Sequence, residues 1–177
     1  AATSAPVVLD ADALNLLAGK PEIAESAKGR LVLTPHPGEM ARLLGLEIAQ
    51  IESDRMAAAT AAAQRWHAVV VLKGERTLVV APDGQWSVCN QPNAALAKAG
   101  AGDVLAGVVG SLLAQGLSPY AAARLGVHLH SKAGQLMRNR WGSRGGIASD
   151  LVGCVSAALG ALQGVAVPEL VPADVER

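Results

Sequence analysis

Small residues surround a single carboxylate in the stretch NAALAKAGAGDVLAG at residues 93–107. An apolar helical pattern follows Asp103, so a helix is predicted to begin here. The first turn of a helix carries backbone N–H groups without partners, and the small residues Gly100, Ala101 and Gly102 would let an anion approach them. The pattern therefore predicts a phosphate at this helix start, with Asp103 as general base toward an attacking hydroxyl. The alternative is that Asp103 only stabilises the helix terminus.

Three further segments place polar side chains where predicted strands end. LTPHPGEMARLL holds His36 between two prolines, VLKGERTLVV places Lys73 after an apolar run, and VVLDADALNLL places Asp10, Asp12 and Asn15 after another. Because α/β proteins bind ligands at the carboxyl ends of strands, each segment could face a ligand. Each also has a structural interpretation: a rigid strand-to-helix turn, a glycine hairpin turn and a helix cap, respectively.

Apolar runs of strand length alternate with helical patterns along the chain. The strands and helices that they predict would position the polar segments described above. Strands are predicted at 6–10, 31–34 and 68–72, followed by a hairpin in KGERTLVVAPDGQWSVC, and helices at 11–18, 39–44, 54–66, 102–115, 119–140 and after Asp150. This order predicts an α/β layer fold with a mostly parallel sheet. His128 and His130 are two residues apart and face different sides of a helix, so they are interpreted as ordinary helix residues. The chain from residue 164 to residue 177 is predicted to be a weakly ordered tail.

The composition argues against several classes of partner. The formal net charge is zero, 17% of residues are charged, and there is no Phe, so neither nucleic acid nor an anionic membrane is indicated as a partner. No apolar run is long enough for a membrane span, and the start has no secretory signal pattern. The two distant cysteines are interpreted as reduced thiols of a cytoplasmic protein. Because the chain does not start with Met, we expect a processed or truncated piece.

Taken in order, the motifs DADALN, LTPHPGE, VLKGERT and NAALAKAGAGDVLAG resemble those of the ADP/ATP-dependent NAD(P)H-hydrate dehydratases. That family belongs to the ribokinase-like superfamily, and the resemblance runs from Val8 to about Asp150. It implies a three-layer α/β/α fold with a mostly parallel sheet. Residues 1–177 would then form one domain, the C-terminal two-thirds of the family domain. The missing N-terminal part would carry the first strands and part of the hydrate site, so we expect this piece alone to be weakly active or poorly stable.

The resemblance also implies a reaction and its residues. The terminal phosphoryl group of ADP or ATP would pass to the hydroxyl of NAD(P)H hydrate, and phosphate would then leave to restore NAD(P)H. Asp103 would be the catalytic base. The implied nucleotide-binding residues are Lys73, Gly74, Glu75, Arg76, Thr77, Gly100, Ala101 and Gly102. The implied substrate-binding residues are His36, Asp103, Asp10 and Asn15. Mg²⁺ would bridge the nucleotide phosphates, with no metal ligand assigned on the protein.

The resemblance further implies a homo-oligomer, either fused to an NAD(P)H-hydrate epimerase or working with one. Two other functions stay open at this point. The GAGD form with Ala101 also occurs in sugar kinases, so a ribokinase-like sugar or vitamin kinase is the first alternative, although HPGE and GDVL argue against it. The second alternative is a non-catalytic nucleotide-binding fragment, which the apparent loss of the N-terminal part suggests.

Overall fold

The computed structural model describes residues 4–20, 22, 24, 27, 29–91 and 93–164, and the predicted tail lies almost entirely outside them. Five strands form one sheet in chain order: β1 (Val7–Leu9), β2 (Leu31–Leu33), β3 (Val69–Leu72), β4 (Leu78–Val80) and β5 (Trp86–Val88). The pairs β1–β2 and β2–β3 are parallel, whereas β3–β4 and β4–β5 are antiparallel. Only β4 therefore runs against the other four strands, which confirms the mostly parallel sheet.

Seven α-helices and one 3₁₀-helix are present among the described residues. The helices are α1 (Asp12–Gly19), α2 (Pro37–Leu44), α3 (Ile48–Ser53), α4 (Arg55–Trp66), α5 (Ala101–Ala114), α6 (Pro119–Trp141) and α7 (Ala148–Leu162), and the 3₁₀-helix is Ala94–Leu96. No helix in this part of the chain is both long and apolar enough to cross a membrane. Neither α3 nor the 3₁₀-helix was predicted.

The sheet lies between two helical layers. All residues of β2 and β3 are buried, as expected for strands covered on both faces. Side chains alternate across the strand, so Val70 and Leu72 pack in a core with α1, α2 and α4, whereas Val69 and Val71 pack in a second core with α5 and α6. A smaller cluster that includes Met137 joins α6 to α7.

Two helices begin at least two residues earlier than the sequence predicted. The predicted start of α2 at Glu39 is wrong, because the His36 side chain accepts from backbone N–H groups and Pro37 occupies the first helical position. The predicted start of α7 after Asp150 is also wrong. The Asp150 carboxylate lies inside the first turn, where it accepts from the Ile147 N–H at 2.8 Å.

Candidate active site

An ion pair joins the carboxyl ends of β1 and β3. The Lys73 ammonium lies 2.7 Å from Asp10 Oδ1 and 3.6 Å from Glu39 Oε2. The same ammonium lies against the first turn of α5, because a Cβ placed on Gly102 would be 3.3 Å from Lys73 Nζ. Segments that are far apart in the chain thus meet at the carboxyl ends of the strands, where the sequence predicted side chains that could face a ligand.

His36 is held in one orientation by the first turn of α2. Its Nδ1 accepts from the N–H groups of Gly38 at 3.0 Å and Glu39 at 3.3 Å, so Nδ1 carries no proton. The His36 N–H donates to Glu39 Oε2 at 2.7 Å, which completes a capping box. Half of the His36 side chain is exposed, and it is therefore both a cap and an oriented polar group.

Glu39 is a member of this group that the candidate residues omitted. One carboxylate oxygen accepts from the His36 backbone and also approaches Lys73, so Glu39 links the two candidate segments. Its side chain is 8% exposed. A Glu three residues after a capping residue is the sequence signal that could have found it.

Asp103 lies exposed in the first turn of α5. Within the described residues its carboxylate has no hydrogen bond or ion pair, and the N-cap position is Gly100, which has no side chain to cap the turn. Asp103 therefore makes no capping hydrogen bond, although an acid in the first turn still stabilises the helix terminus through the helix dipole, and its carboxylate is free to meet a ligand. Gly100 is needed here for two reasons: its φ is +81°, and a Cβ would lie 2.8 Å from the Cβ of Ala148.

A cleft of about 650 Å³ opens beside this helix start. Six of the predicted nucleotide-binding residues line it, namely Lys73, Gly74, Glu75, Thr77, Ala101 and Gly102. Leu96, Leu105 and Val127 supply apolar wall, so the cleft combines apolar surface with a few polar groups, as small-molecule sites do.

The other predicted site residues do not line this cleft: Arg76, Gly100, Asp103, His36, Asp10 and Asn15. Asn15 is also separate from the Asp10–Lys73 pair, since its amide donates to Asp12 Oδ1 at 3.4 Å on the exposed side of α1. Asp12 makes no cap for α1, whose N-cap position is Ala11.

The turn at residues 73–77 connects β3 to β4, so the hairpin interpretation of this segment is correct as well. Arg55 holds the turn from α4: one guanidinium nitrogen donates to Leu72 O at 3.2 Å and Lys73 O at 3.1 Å. A Cβ on Gly74 would lie 2.7 Å from that nitrogen, so a glycine at this position leaves room for the Arg55 guanidinium. Sequence reasoning missed Arg55, because its partners are backbone carbonyls 17 and 18 residues away.

His130 differs from its predicted role as an ordinary helix residue. Its side chain is buried and lines the cleft, and Nε2 lies 2.9 Å from Ala101 O at the start of α5. Burial lowers the pKa of His130, so the ring is neutral and Nε2–H donates to that carbonyl. Nearby, Asn93 Nδ2 and Ser131 Oγ are buried without partners on residues that also line the cleft.

Comparison with known proteins places these motifs in one family. The family model of NAD(P)H-hydrate dehydratase matches residues 1–156. The chain belongs to this family. A bifunctional NAD(P)H-hydrate repair enzyme of Moorella thermoacetica is 48% identical over 147 residues, which are 83% of this chain and 28% of that protein. The resemblance inferred from the four motifs is therefore confirmed.

Two solved structures share the fold. The ADP/ATP-dependent NAD(P)H-hydrate dehydratase of Bacillus subtilis, co-crystallised with ATP/Mg²⁺, matches with a TM-score of 0.75 and 29% identity over 88% of this chain and 55% of that one. A ribokinase-like superfamily protein of Enterococcus faecalis matches with a TM-score of 0.75 and 24% identity over 92% of this chain and 54% of that one. The ribokinase-like fold is thus confirmed, and the chain spans about half the length of these structures.

Proposed function

We propose that this chain carries the catalytic part of a nucleotide-dependent NAD(P)H-hydrate dehydratase. The hydrate hydroxyl attacks the terminal phosphorus of ADP or ATP, a C–O–P bond forms, and AMP or ADP leaves. Phosphate then leaves the ring carbon, driven by the lone pair of the ring nitrogen, and loss of a ring proton restores the double bond. Phosphorylation is useful here because hydroxide is a poor leaving group and phosphate a good one.

Asp103 is the proposed base that takes the proton of the attacking hydroxyl. Support comes from its exposed and unpaired carboxylate in the first turn of α5. The N–H group of Gly102 would stabilise the charge on the transferred phosphoryl group, whereas the Ala101 N–H already donates to Lys98 O at 3.3 Å. His130 supports this arrangement, because its bond to Ala101 O fixes the backbone of the turn.

The cleft lined by residues of the 73–77 turn and of α5 is the proposed nucleotide site, and His36, which Glu39 connects to Lys73, is a proposed contact of the hydrate. Asp10, Glu39 and Lys73 together carry one ammonium and two carboxylates, so the group repels a bare polyphosphate. Mg²⁺ on the phosphates would supply the neutralising charge, held by phosphate oxygens and water. We propose no protein ligand for it.

One observation carries the proposal: the Lys73 ammonium of the nucleotide turn lies against Gly102 in the first turn of α5. The nucleotide and phosphoryl sites are therefore continuous. The test is incubation of the protein with hydrated NADH or NADPH, Mg²⁺ and either ADP or ATP, following the absorbance of the reduced nicotinamide and the release of phosphate. Recovery of absorbance with one phosphate per NAD(P)H is the expected result.

The same assay separates the alternatives. A stable phosphorylated product from a sugar or vitamin alcohol, without recovery of NAD(P)H, would indicate a kinase. Nucleotide binding without turnover of any substrate would indicate a non-catalytic fragment. Running the assay with ADP and ATP in parallel also decides which nucleotide the protein prefers.

We further propose a cytoplasmic homo-oligomer that works with an NAD(P)H-hydrate epimerase, fused or separate. The bifunctional character of the Moorella relative supports the epimerase, and the free thiols of Cys89 and Cys154 are compatible with a reducing compartment. Exposed apolar side chains on α7, including Val152 and Leu162, support self-association. Light scattering of the purified protein tests the oligomer, and co-purification with the epimerase tests the partner.

A further inference from the structure

Lys98 connects two parts of the chain that have no direct role in the proposed reaction. It lies between the 3₁₀-helix and α5, two residues before Gly100. Its ammonium donates to Gly145 O and to Gly146 O, both at 2.8 Å. It forms no salt bridge with any described residue. Because its partners are backbone carbonyls, the contact fixes the path of the α6–α7 loop (residues 142–147) rather than balancing a charge.

The α6–α7 loop has few other anchors. Gly142 and Gly146 both have φ +76°, and most of the loop is exposed. A Cβ on Gly146 would lie 2.9 Å from Met137 Cγ, so only the glycine backbone packs against α6 at this point. Ser143 lies in this loop and lines the candidate nucleotide cleft. Before Ser143, the Gly142 N–H donates to Arg138 O at 2.8 Å, and after it Lys98 holds Gly145 and Gly146, so the position of that part of the wall depends on both contacts.

The turn that precedes α5 also approaches the residue that follows the loop, because a Cβ on Gly100 would lie 2.8 Å from the Cβ of Ala148, the first residue of α7. Contacts at Lys98 and Gly100 thus lie on either side of Ala99 and lead directly into the first turn of α5. We infer that Lys98 is a positioning residue for the nucleotide, which holds Ser143 and the amides of α5 as walls of one cleft. The inference rests on the proposed function for the identity of the ligand, ADP or ATP with Mg²⁺.

The test compares three variants of the whole chain. Lys98→Met keeps the aliphatic stem and removes the donors, Lys98→Arg keeps donors for both carbonyls, and Lys20→Met removes an exposed lysine elsewhere as the control. Calorimetric titration with Mg²⁺–ADP and Mg²⁺–ATP should show Kd raised about tenfold in Lys98→Met, a typical effect of losing hydrogen bonds from a charged donor. Kd should stay within about threefold of wild type in the other two variants.

Two readouts distinguish positioning from a general loss of stability. In the turnover assay, KM for the nucleotide should rise in Lys98→Met while kcat changes less than about threefold, because Asp103 is untouched. Amide hydrogen exchange should be faster in the α6–α7 loop of Lys98→Met than in wild type, with exchange in the strands unchanged. In the wild-type protein, Mg²⁺–ADP should slow exchange in the same loop, and this measurement does not depend on any variant folding.

Wild-type Kd in Lys98→Met together with faster loop exchange would show that the loop is no part of the nucleotide site, and the inference would be rejected. Unchanged loop exchange in Lys98→Met would reject it too, as would a loop in the wild-type protein that Mg²⁺–ADP does not protect. Nucleotide binding that depends on Lys98, without hydrate turnover, would overturn the proposed function and support this inference.

Discussion

Lys73 and Asp10 form a part-buried ion pair, with Nζ and Oδ1 2.7 Å apart, that ties the end of β3 to the end of β1. The two side chains are 20% and 13% exposed, and a second carboxylate, that of Glu39, lies 3.6 Å from the ammonium. The pair therefore fixes the end of β3, where the candidate nucleotide turn begins, relative to the end of β1.

We expect each single substitution in this pair to be costly. Lys73→Met leaves two carboxylates facing each other, and Asp10→Asn leaves the ammonium with one distant partner, so each should lower the free energy of unfolding by about 2 kcal/mol. The double variant should lose less than the sum, because it leaves fewer unpaired charges. Urea denaturation of the four proteins measures the coupling, and additive losses would contradict a direct interaction.

Asp103→Asn should abolish hydrate turnover without affecting the fold. Loss of a general base lowers kcat by about 10²- to 10⁴-fold, whereas no hydrogen bond within the described residues is lost. The Kd of Mg²⁺–ADP and the melting temperature should stay at wild-type values. Asp83→Asn, in the exposed turn between β4 and β5, is the matched control and should turn over normally. Full activity of Asp103→Asn would remove Asp103 from the mechanism.

The sequence motifs predicted more of the site residues than of the residues that hold them in position. Asp10 and Lys73 could be predicted to meet, because both follow strands that parallel pairing aligns at one edge. The roles of Arg55 and His130 could not, since each binds a backbone carbonyl and such partners leave no pattern of residue types in the sequence. The Lys98 contact was hidden for the same reason, because both of its acceptors are carbonyls of glycines.

Helix starts were predicted less well than helix existence. His36 is an unusual cap, so the LTPHPGE segment predicts a loop up to Glu39, although Pro37 fits a first helical position. By contrast, Ser118 followed by Pro119 correctly marked the start of α6. The side chain of the capping residue decided the outcome in both cases.

His130 should make the stability of the protein depend on pH. Burial keeps its pKa below the usual 6.5 in the folded state, whereas the unfolded chain regains the ordinary value. The contribution of His130 to the free energy of unfolding is complete above about pH 6.5. It decreases as the pH falls below that value, by up to about 1.4 kcal/mol per pH unit, because the unfolded state takes up the proton first. Urea denaturation between pH 7.5 and pH 5, both about one unit or more from that pKa, measures this slope.

The variant His130→Gln tests the assignment of that slope. Gln keeps a donor for Ala101 O but does not titrate. Part of the decrease in the free energy of unfolding at acidic pH should therefore disappear in this variant. His128→Gln is the matched control, since His128 is exposed on the same helix and should leave the slope unchanged. Equal slopes in wild type and His130→Gln would show that other groups cause the pH dependence.

Ala11 stores backbone strain next to the Lys73–Asp10 pair. Its φ of +49° and ψ of −121° lie outside the regions that alanine favours, at the turn from β1 into α1. Ala11→Gly should therefore raise the free energy of unfolding by about 1 kcal/mol, since glycine adopts this conformation without strain. Ala13→Gly, inside α1, should lower it by about 0.5–1 kcal/mol, so the opposite signs separate relief of strain from a general glycine effect. Destabilisation by both variants in urea denaturation would contradict strain at Ala11.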